Sequence, residues 1–345
     1  MSGFLSFISS FSTTLTFSIT FGTVILYGAL GEILTEKGGN LNLGVPGIMY
    51  IGAIASLAGA LAFQRATVGL AAALGGFYPV LCVLVCLLFA CAASMLAGLI
   101  FAFLTISLRT NQNVTGLTLT IFGNGLANFF GGSLNGMAGG VGQISVTATS
   151  AAYRATIPGL STFSVGKIPA GNLIFGYGFM VYLAIAISVA LSVFLNRSRK
   201  GLNLRAVGEN PGTADAAGIN VIRNKYLATC IGAGISGLGG LYYTMDYIKG
   251  TWTTDSTIEA LCRLAVELVI FATWKPVNAV WGAYLFGLLY WMFLYIPGLT
   301  RSSMELFKML PYLVTIAVLI VTALRKKREN QPPAGLGLPY FREER

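Results

Sequence analysis

The polar chemistry of this chain is concentrated between positions 31 and 49. There the run GEILTEKGGNLNLGVPGIM sets two acids, a lysine and two asparagines among glycine and proline breaks, with apolar sequence on either side. Glu32 and Glu36 share one helix face at i, i+4 spacing. An ionised carboxylate in lipid is costly, so such a pair is expected to be partnered, neutral or near an interface. A structural pair at a pathway entrance is favoured over proton coupling. Unpaired backbone groups are also costly in a hydrocarbon core, and an unwound stretch survives there only when buried in protein or lining a water-filled path. A helix broken at mid-depth would present Asn40, Asn42 and the backbone around Gly44 and Gly47 to a polar solute. The competing reading is an ordinary interhelical turn at the surface.

Other polar and reactive groups are sparser. Asn113, Thr115 and Asn124 line one end of an apolar stretch, where an amide can bond either a solute or a neighbouring helix. Arg263 and Glu267 stand four apart, the spacing of an intrahelical ion pair. Cys82 and Cys86 share a face at i, i+4, yet they and Cys91, Cys230 and Cys262 all fall in apolar stretches. That pattern reads as packing, not as a metal site or a disulfide framework. The chain has no histidine, which excludes a His-containing metal site and a Ser/His or Cys/His nucleophile. With no close carboxylate cluster either, a membrane-embedded enzyme has little to build on. No G-x-x-x-x-G-K-[ST] phosphate loop occurs.

The elements that must hold these residues follow from composition. Only 10% of the 345 residues are charged, 55% are hydrophobic, and mean hydropathy is +0.75; a water-soluble surface needs more charge than this. Crossing a hydrocarbon core about 30 Å thick takes about 20 mostly apolar residues as a helix. Such stretches recur at 15–34, 48–63, 78–108, 114–130, 173–195, 226–243, 261–274, 279–295 and 310–324. A removable signal peptide cannot account for that recurrence. The third is too long for one upright crossing and is predicted to tilt, to extend into the cytoplasm or to break near 93–98. The 43 glycines read as close helix packing in lipid. The expected fold is all-α, a polytopic integral membrane helical bundle of about nine (eight to ten) transmembrane helices, with a broken helix near the N-terminal third.

Net charge is +10, but the basic residues lie between and after apolar spans, so topology explains them better than nucleic acid does. Arg325, Lys326, Lys327 and Arg328 follow the last span, and Arg197, Arg199, Lys200 and Arg205 follow the fifth. Both clusters are expected in the cytoplasm, which also places Arg109, Arg223, Lys225 and Lys275 there and the first residue outside. The domain plan is one transmembrane unit, 1–328, with an external loop at 131–171 and a cytoplasmic loop at 196–224, followed by a tail at 329–345 expected to be disordered. Within the cytoplasmic loop Asn210 is a good N-cap and Pro211 a good first helical residue, so 211–217 is predicted as a short helix ended by Gly218. Such a helix is marginal alone and makes sense when docked on a partner.

This cytoplasmic stretch, with Gly201, Arg205, Ala206, Gly208, Asn210, the ADAA run at 214–217, Gly218 and Ile219, resembles the coupling loop of permeases in the branched-chain amino acid, simple sugar and nucleoside ABC importer superfamily. GGNLNLGVPGIMYIGA resembles the N-terminal signature of the nucleoside and simple-sugar branch. TISLRTNQNVTGLTL at 105–119 and the TWKP turn at 273–276 are further matches, in the expected order. The family signature commonly reads N-x-G-x-E-G; here Asn42, Gly44 and Gly47 are present and Pro46 stands where the acid is expected.

The resemblance implies a permease of alternating access for a small polar solute, a nucleoside or related metabolite first, with a simple sugar or branched-chain amino acid as alternatives. It implies cytoplasmic ATPase subunits, a second and different permease chain, and an extracytoplasmic solute-binding lipoprotein. ATP would bind the partner and no cofactor this chain. The coupling residues would be Arg205, Gly208, Glu209, Asn210, Pro211, Ala214, Asp215, Ala217 and Gly218. The expected location is the plasma membrane, in bacteria the inner membrane. An ion-coupled secondary transporter or channel is the rival class, and it needs no docking helix.

Overall fold

The computed structural model describes residues 2–68, 75, 77–137, 145–156, 175–252, 257–296, 300–325 and 330–341. The architecture is all-helical. Helices α1 (Ser2–Lys37), α2 (Val45–Ala66), α3 (Phe77–Ala102), α4 (Gln112–Met137), α6 (Phe179–Arg197), α9 (Val221–Tyr242), α10 (Thr257–Phe271), α11 (Pro276–Trp291) and α13 (Leu310–Arg325) correspond in order to the nine expected spans. Four shorter helices join them: α5 (Thr147–Tyr153), α7 (Arg199–Glu209), α8 (Pro211–Ala216) and α12 (Arg301–Lys308). Five segments are long and apolar enough to cross a membrane on their own: Ser12–Lys37, Val45–Ala66, Phe77–Ser107, Phe179–Arg197 and Ser303–Leu324.

The bundle has an inside and an outside. Helix α9 sits at the centre, packed on α1, α2 and α3; α2 also packs on α3, and α10 and α11 lie against the other flank of α1. Most of the spanning parts of α1 and α2 are buried, whereas α3, α6 and α13 are largely exposed. Leu84, Leu88, Leu96, Leu99 and Ile100 of α3 and Ile316, Leu319 and Ile320 of α13 point outward, as a lipid-facing surface requires. Glycine makes the inner contact possible. A methyl group at Gly240 of α9 would overlap the backbone of Met49, and one at Gly31 of α1 would overlap that of Gly232; backbones that close carry the packing that drives helix association in lipid.

The long third span is continuous through 93–98, so of the three alternatives for its length the break is absent. Close packing explains why: Ser94 lies against Gly237 of α9 and Gly52 of α2 and donates to the Ile48 carbonyl at 3.3 Å. The helix instead widens into a π-turn at Phe103–Ser107, at its C-terminal end. A matching π-turn, Tyr243–Tyr247, closes α9 at the opposite end of the bundle.

Only part of the expected external loop falls within the described residues. There α5 is tied to the bundle, since Tyr153 donates to the Val83 carbonyl at 2.8 Å and Ser150 to that of Met245 at 2.7 Å. The external loop at 138–144 and 157–171 and the basic residues 326–328, 342 and 345 lie outside the described residues.

Residues 330–341, expected from sequence to be part of a disordered tail, are placed against the end of the bundle that carries α7 and α8. Gly335 N–H donates to the Gly208 carbonyl at 2.9 Å, Tyr340 packs on Val207, Ala214 and Val221, and the Arg109 guanidinium sits 4.5 Å over the Phe341 ring. Glycine and proline keep this segment from being a helix but leave it free to lie flat on a groove.

Candidate translocation surface and coupling face

The break between α1 and α2 lies at the same end of the bundle as α7, not at mid-depth. Gly39 takes a positive φ of 84° and packs on Gly208, while Leu204 covers Gly38. Asn40 and Asn42 are each 1% exposed. The Asn40 amide donates to Thr229 Oγ1 at 3.1 Å, and Asn42 Oδ1 accepts the Gly44 N–H at 3.0 Å. The Asn42 N–H in turn donates to Glu32 Oε1 at 3.0 Å. Glu36, one turn on, accepts the indole N–H of Trp274, and the two carboxyls are near enough to interact. In this geometry the two glutamates tie α1 to the turn and to the α10–α11 connection.

Helix α4 completes the clamp. Gln112 Oε1 accepts the Leu41 N–H at 2.7 Å, and Thr120 donates to the Leu43 carbonyl at 2.9 Å. Gly116 packs on the backbone of Leu43 and Gly44, and Gly123 on that of Gly47. Of the sequence-selected set, Asn40, Asn42, Gly44 and Gly47 therefore sit together inside the protein. Gln112, Gly116, Thr120, Gly123, Thr229 and Trp274 were not selected, although four of them lie in or beside stretches that carry the family resemblance.

The remaining selected residues lie on a different surface. In α4 the buried positions are 112, 116, 119, 123, 127, 131 and 134, a single stripe packed mainly on α2. The rest of the helix is open. Asn113 is exposed, Thr115 and Asn124 are half-buried, and Asn128, exposed, donates to Asn124 Oδ1 at 2.8 Å. Gly125, Gly132 and Gly136 have nothing near the position of a side chain. Thr115 bonds back to the Asn111 carbonyl at 2.8 Å, and Asn111 Oδ1 caps the helix by accepting the N–H groups of Asn113 and Val114. At 26 residues α4 is roughly 39 Å long, so this mixed face runs the depth of a membrane. The same open face carries Val114, Leu117, Ile121, Phe122, Phe129 and Phe130, so amides and bare glycines, costly or idle against acyl chains, alternate there with large apolar side chains.

The insertion at 198–220 forms a helix–turn–helix. Ser198 caps α7 by accepting the Gly201 N–H at 2.9 Å, and Asn210 caps α8 by accepting that of Thr213 at 3.0 Å. Pro211 is the first residue of α8, Ala217 its C-cap, and Gly218 follows with a φ of 81°. Gly208 and Ala214 face inward, against α1 and against Val207 and Val221. Arg205, Glu209, Asn210, Ala217 and Gly218 are exposed, with Pro211 and Asp215 half-buried. The insertion thus offers a polar and small-residue surface while its inner side rests on the bundle.

The ion pair expected for Arg263 forms with a different partner. Arg263 pairs with Glu259, not Glu267. Glu259 lies one turn towards the end of α10, where both partners reach solvent, whereas Glu267 Oε2 is buried and unbonded among the described residues. Cys82, Cys86 and Cys262 are buried free thiols. Among the described residues no three His, Cys, Asp or Glu side chains converge as metal ligands would.

Comparison with known proteins adds three kinds of result. Residues 14–319 match the model of a family described as the permease component of a branched-chain amino acid transport system. A Haloferax volcanii protein, whose assignment as a glucose ABC transporter permease is itself provisional, is 32% identical, with 93% of this chain and 95% of its own length covered. The guanosine ABC transporter permease of Bacillus subtilis is 31% identical, covering 95% and 96%, and a nucleoside ABC transporter permease of Lactococcus lactis is 30% identical, covering 87% and 89%. No solved structure matches.

Proposed function

The chain belongs to the permease-component family of branched-chain amino acid transport systems and is a membrane-spanning permease subunit of an ABC importer; from that premise we propose that it imports a nucleoside along the outer face of α4. The observation that carries the path is a membrane-length helix with one stripe packed and Asn113, Asn124 and Asn128 turned outward. Two chains meeting at this face would shield the amides from lipid and leave polar groups along a shared path, with Thr115 at its cytoplasmic end. Asn40, Asn42, Gly44 and Gly47 would act from behind, fixing α2 against α4.

The nucleoside assignment is supported by the guanosine and nucleoside permeases among the relatives, and a sugar is the second reading because of the Haloferax relative. A second Lactococcus lactis nucleoside permease matches at 23% identity over 41% of this chain; two related permeases in one organism support a mixed pair. Cytoplasmic ATPase subunits would dock on the exposed side of α7 and α8, bind the ATP and drive alternating access, and an external binding protein would deliver the solute. The chain itself would hold no cofactor, and the plasma membrane is the setting such a delivery requires. An ion-coupled carrier has no use for the docking insertion and is not favoured.

The test is uptake of labelled guanosine by a strain lacking the transporter genes and then regaining them. Restored uptake, competed by other nucleosides and unaffected by glucose, is expected; restored uptake of glucose that nucleosides do not compete would replace the nucleoside assignment.

A further inference from the structure

A cavity of about 450 Å³ opens on the cytoplasmic side between the ends of α1 and α6, helix α7, the start of α11 and the tail. That volume suits a small ligand. Lys37, Arg205 and Lys275 line it, brought there by three different elements, with Lys37 close enough to the other two for their charges to interact. Like charges assembled in a partly enclosed space repel unless something offsets them.

The offset present is incomplete. Among the described residues the ion pairs are Arg263–Glu259 and Lys308–Glu305, so none of the three cations belongs to one. Arg205 bonds the neutral Asn196 side chain at 3.2 Å and Lys275 that of Asn330 at 2.9 Å. Glu209 also lines the cavity, accepting the Ala334 N–H at 3.4 Å. Glu36 stands close to Lys37 but is bonded to Trp274. Three cations thus face two carboxylates, whose bonds to neutral N–H groups leave their charge in place, so the cluster keeps an excess of positive charge.

The cavity also contains the first turn of α11. Lys275 is its N-cap residue and no side chain caps it, while Pro276, Val277 and Asn278 line the wall. The N–H groups of the first turn have no intrahelical acceptor and add a positive helix end to the three side chains. Leu195 and Ser192, near the end of the membrane-length helix α6, also line it.

We propose that this cavity binds a phosphate-bearing anion, held by Lys37, Arg205, Lys275 and the N-terminus of α11. The anion ties the end of α1 to α7 and to α11, and Gln331 and Pro333 of the tail border it. The phosphate comes either from an anionic phospholipid headgroup, for which basic pockets on the cytoplasmic side of helix bundles are suited, or from a soluble phosphate compound.

Full-length protein in phosphatidylcholine nanodiscs separates the sources. One arm measures retention of phosphatidylglycerol by native mass spectrometry; the other titrates inorganic phosphate calorimetrically. The variants are K37Q/K275Q and the charge-keeping K37R/K275R, with K275Q alone, on an exposed residue, standing in if the glutamine pair does not fold. The expected result is saturable binding of at least one probe, weakened about tenfold or more in the glutamine pair, by at least threefold in K275Q, and kept by the arginine pair. Phosphatidylglycerol alone identifies a lipid site, phosphate alone a soluble ligand. Equal binding by wild type and the glutamine variants, or no saturable binding of either probe, overturns the proposal.

Discussion

The turn joining α1 to α2 and the outer face of α4 are built from the same residue types, asparagine, threonine and glycine, and the protein uses them in opposite ways. In the turn Asn40 and Asn42 are buried and bonded within the chain, to Thr229 Oγ1 and the Gly44 N–H. On α4, Asn113 and Asn128 are exposed, and the nearest partner of Asn128 is Asn124 on the same helix. Buried amides that find partners at home stabilise and position. Amides on a membrane-length face with little to bond are poised for something outside the chain. Residue identity is therefore a poor guide to which polar group meets a solute, and bonding is a better one.

The comparison breaks most sharply at the contact between the two regions. A side chain at Gly123 would overlap the Gly47 backbone, which cannot give way as a flexible side chain could. Gly123→Val is expected to cost about 3 kcal/mol, the upper end of overpacking penalties, and to separate α4 from α2. Thermal unfolding in detergent should show a large fall in midpoint together with loss of monodisperse protein. An unchanged midpoint would mean that α4 is not seated on α2.

A smaller effect is expected at Glu32, whose Oε1 accepts the Asn42 N–H. Glu32→Ala leaves that buried donor unsatisfied, at about 1–3 kcal/mol; Glu32→Gln keeps an acceptor oxygen and should cost less than half as much. Were the turn lined by water, both substitutions would leave the unfolding midpoint where it is, and the contrast between the two regions would lose its buried half.

The spans and the short helix α8 were legible because their signals are local. Apolar runs of membrane length are read directly, and Asn210, Pro211 and Gly218 mark the ends of α8, where the helix forms at Pro211–Ala216. The inward turn of Asn40 was not legible, because its partner Thr229, like the Gln112 that holds the adjacent Leu41 N–H, is far away in sequence. Nor was the pairing of Arg263, since Glu259 and Glu267 are equally spaced from it and only burial distinguishes them. The placement of 330–341 escaped composition for the same reason: its partners are Gly208 and the cluster around Ala214, and a Pro/Gly-rich segment carries no periodicity that would announce them.

The least disruptive substitution probes the other half of the comparison. Asn124 and Asn128 bond each other on a face with open space around Gly125 and Gly132, so Asn124→Leu with Asn128→Leu leaves no buried partner unsatisfied. Stability should stay within about 0.5 kcal/mol. If the face lines the path, the leucine pair removes polar groups from it and narrows it, and uptake should fall about tenfold or more at equal membrane abundance. If the face instead met acyl chains, leucine would suit it better than asparagine, so the variant would unfold at a higher temperature and transport normally. The two outcomes differ in sign for stability and in size for uptake, and measuring both on one preparation separates a solute path from a lipid surface.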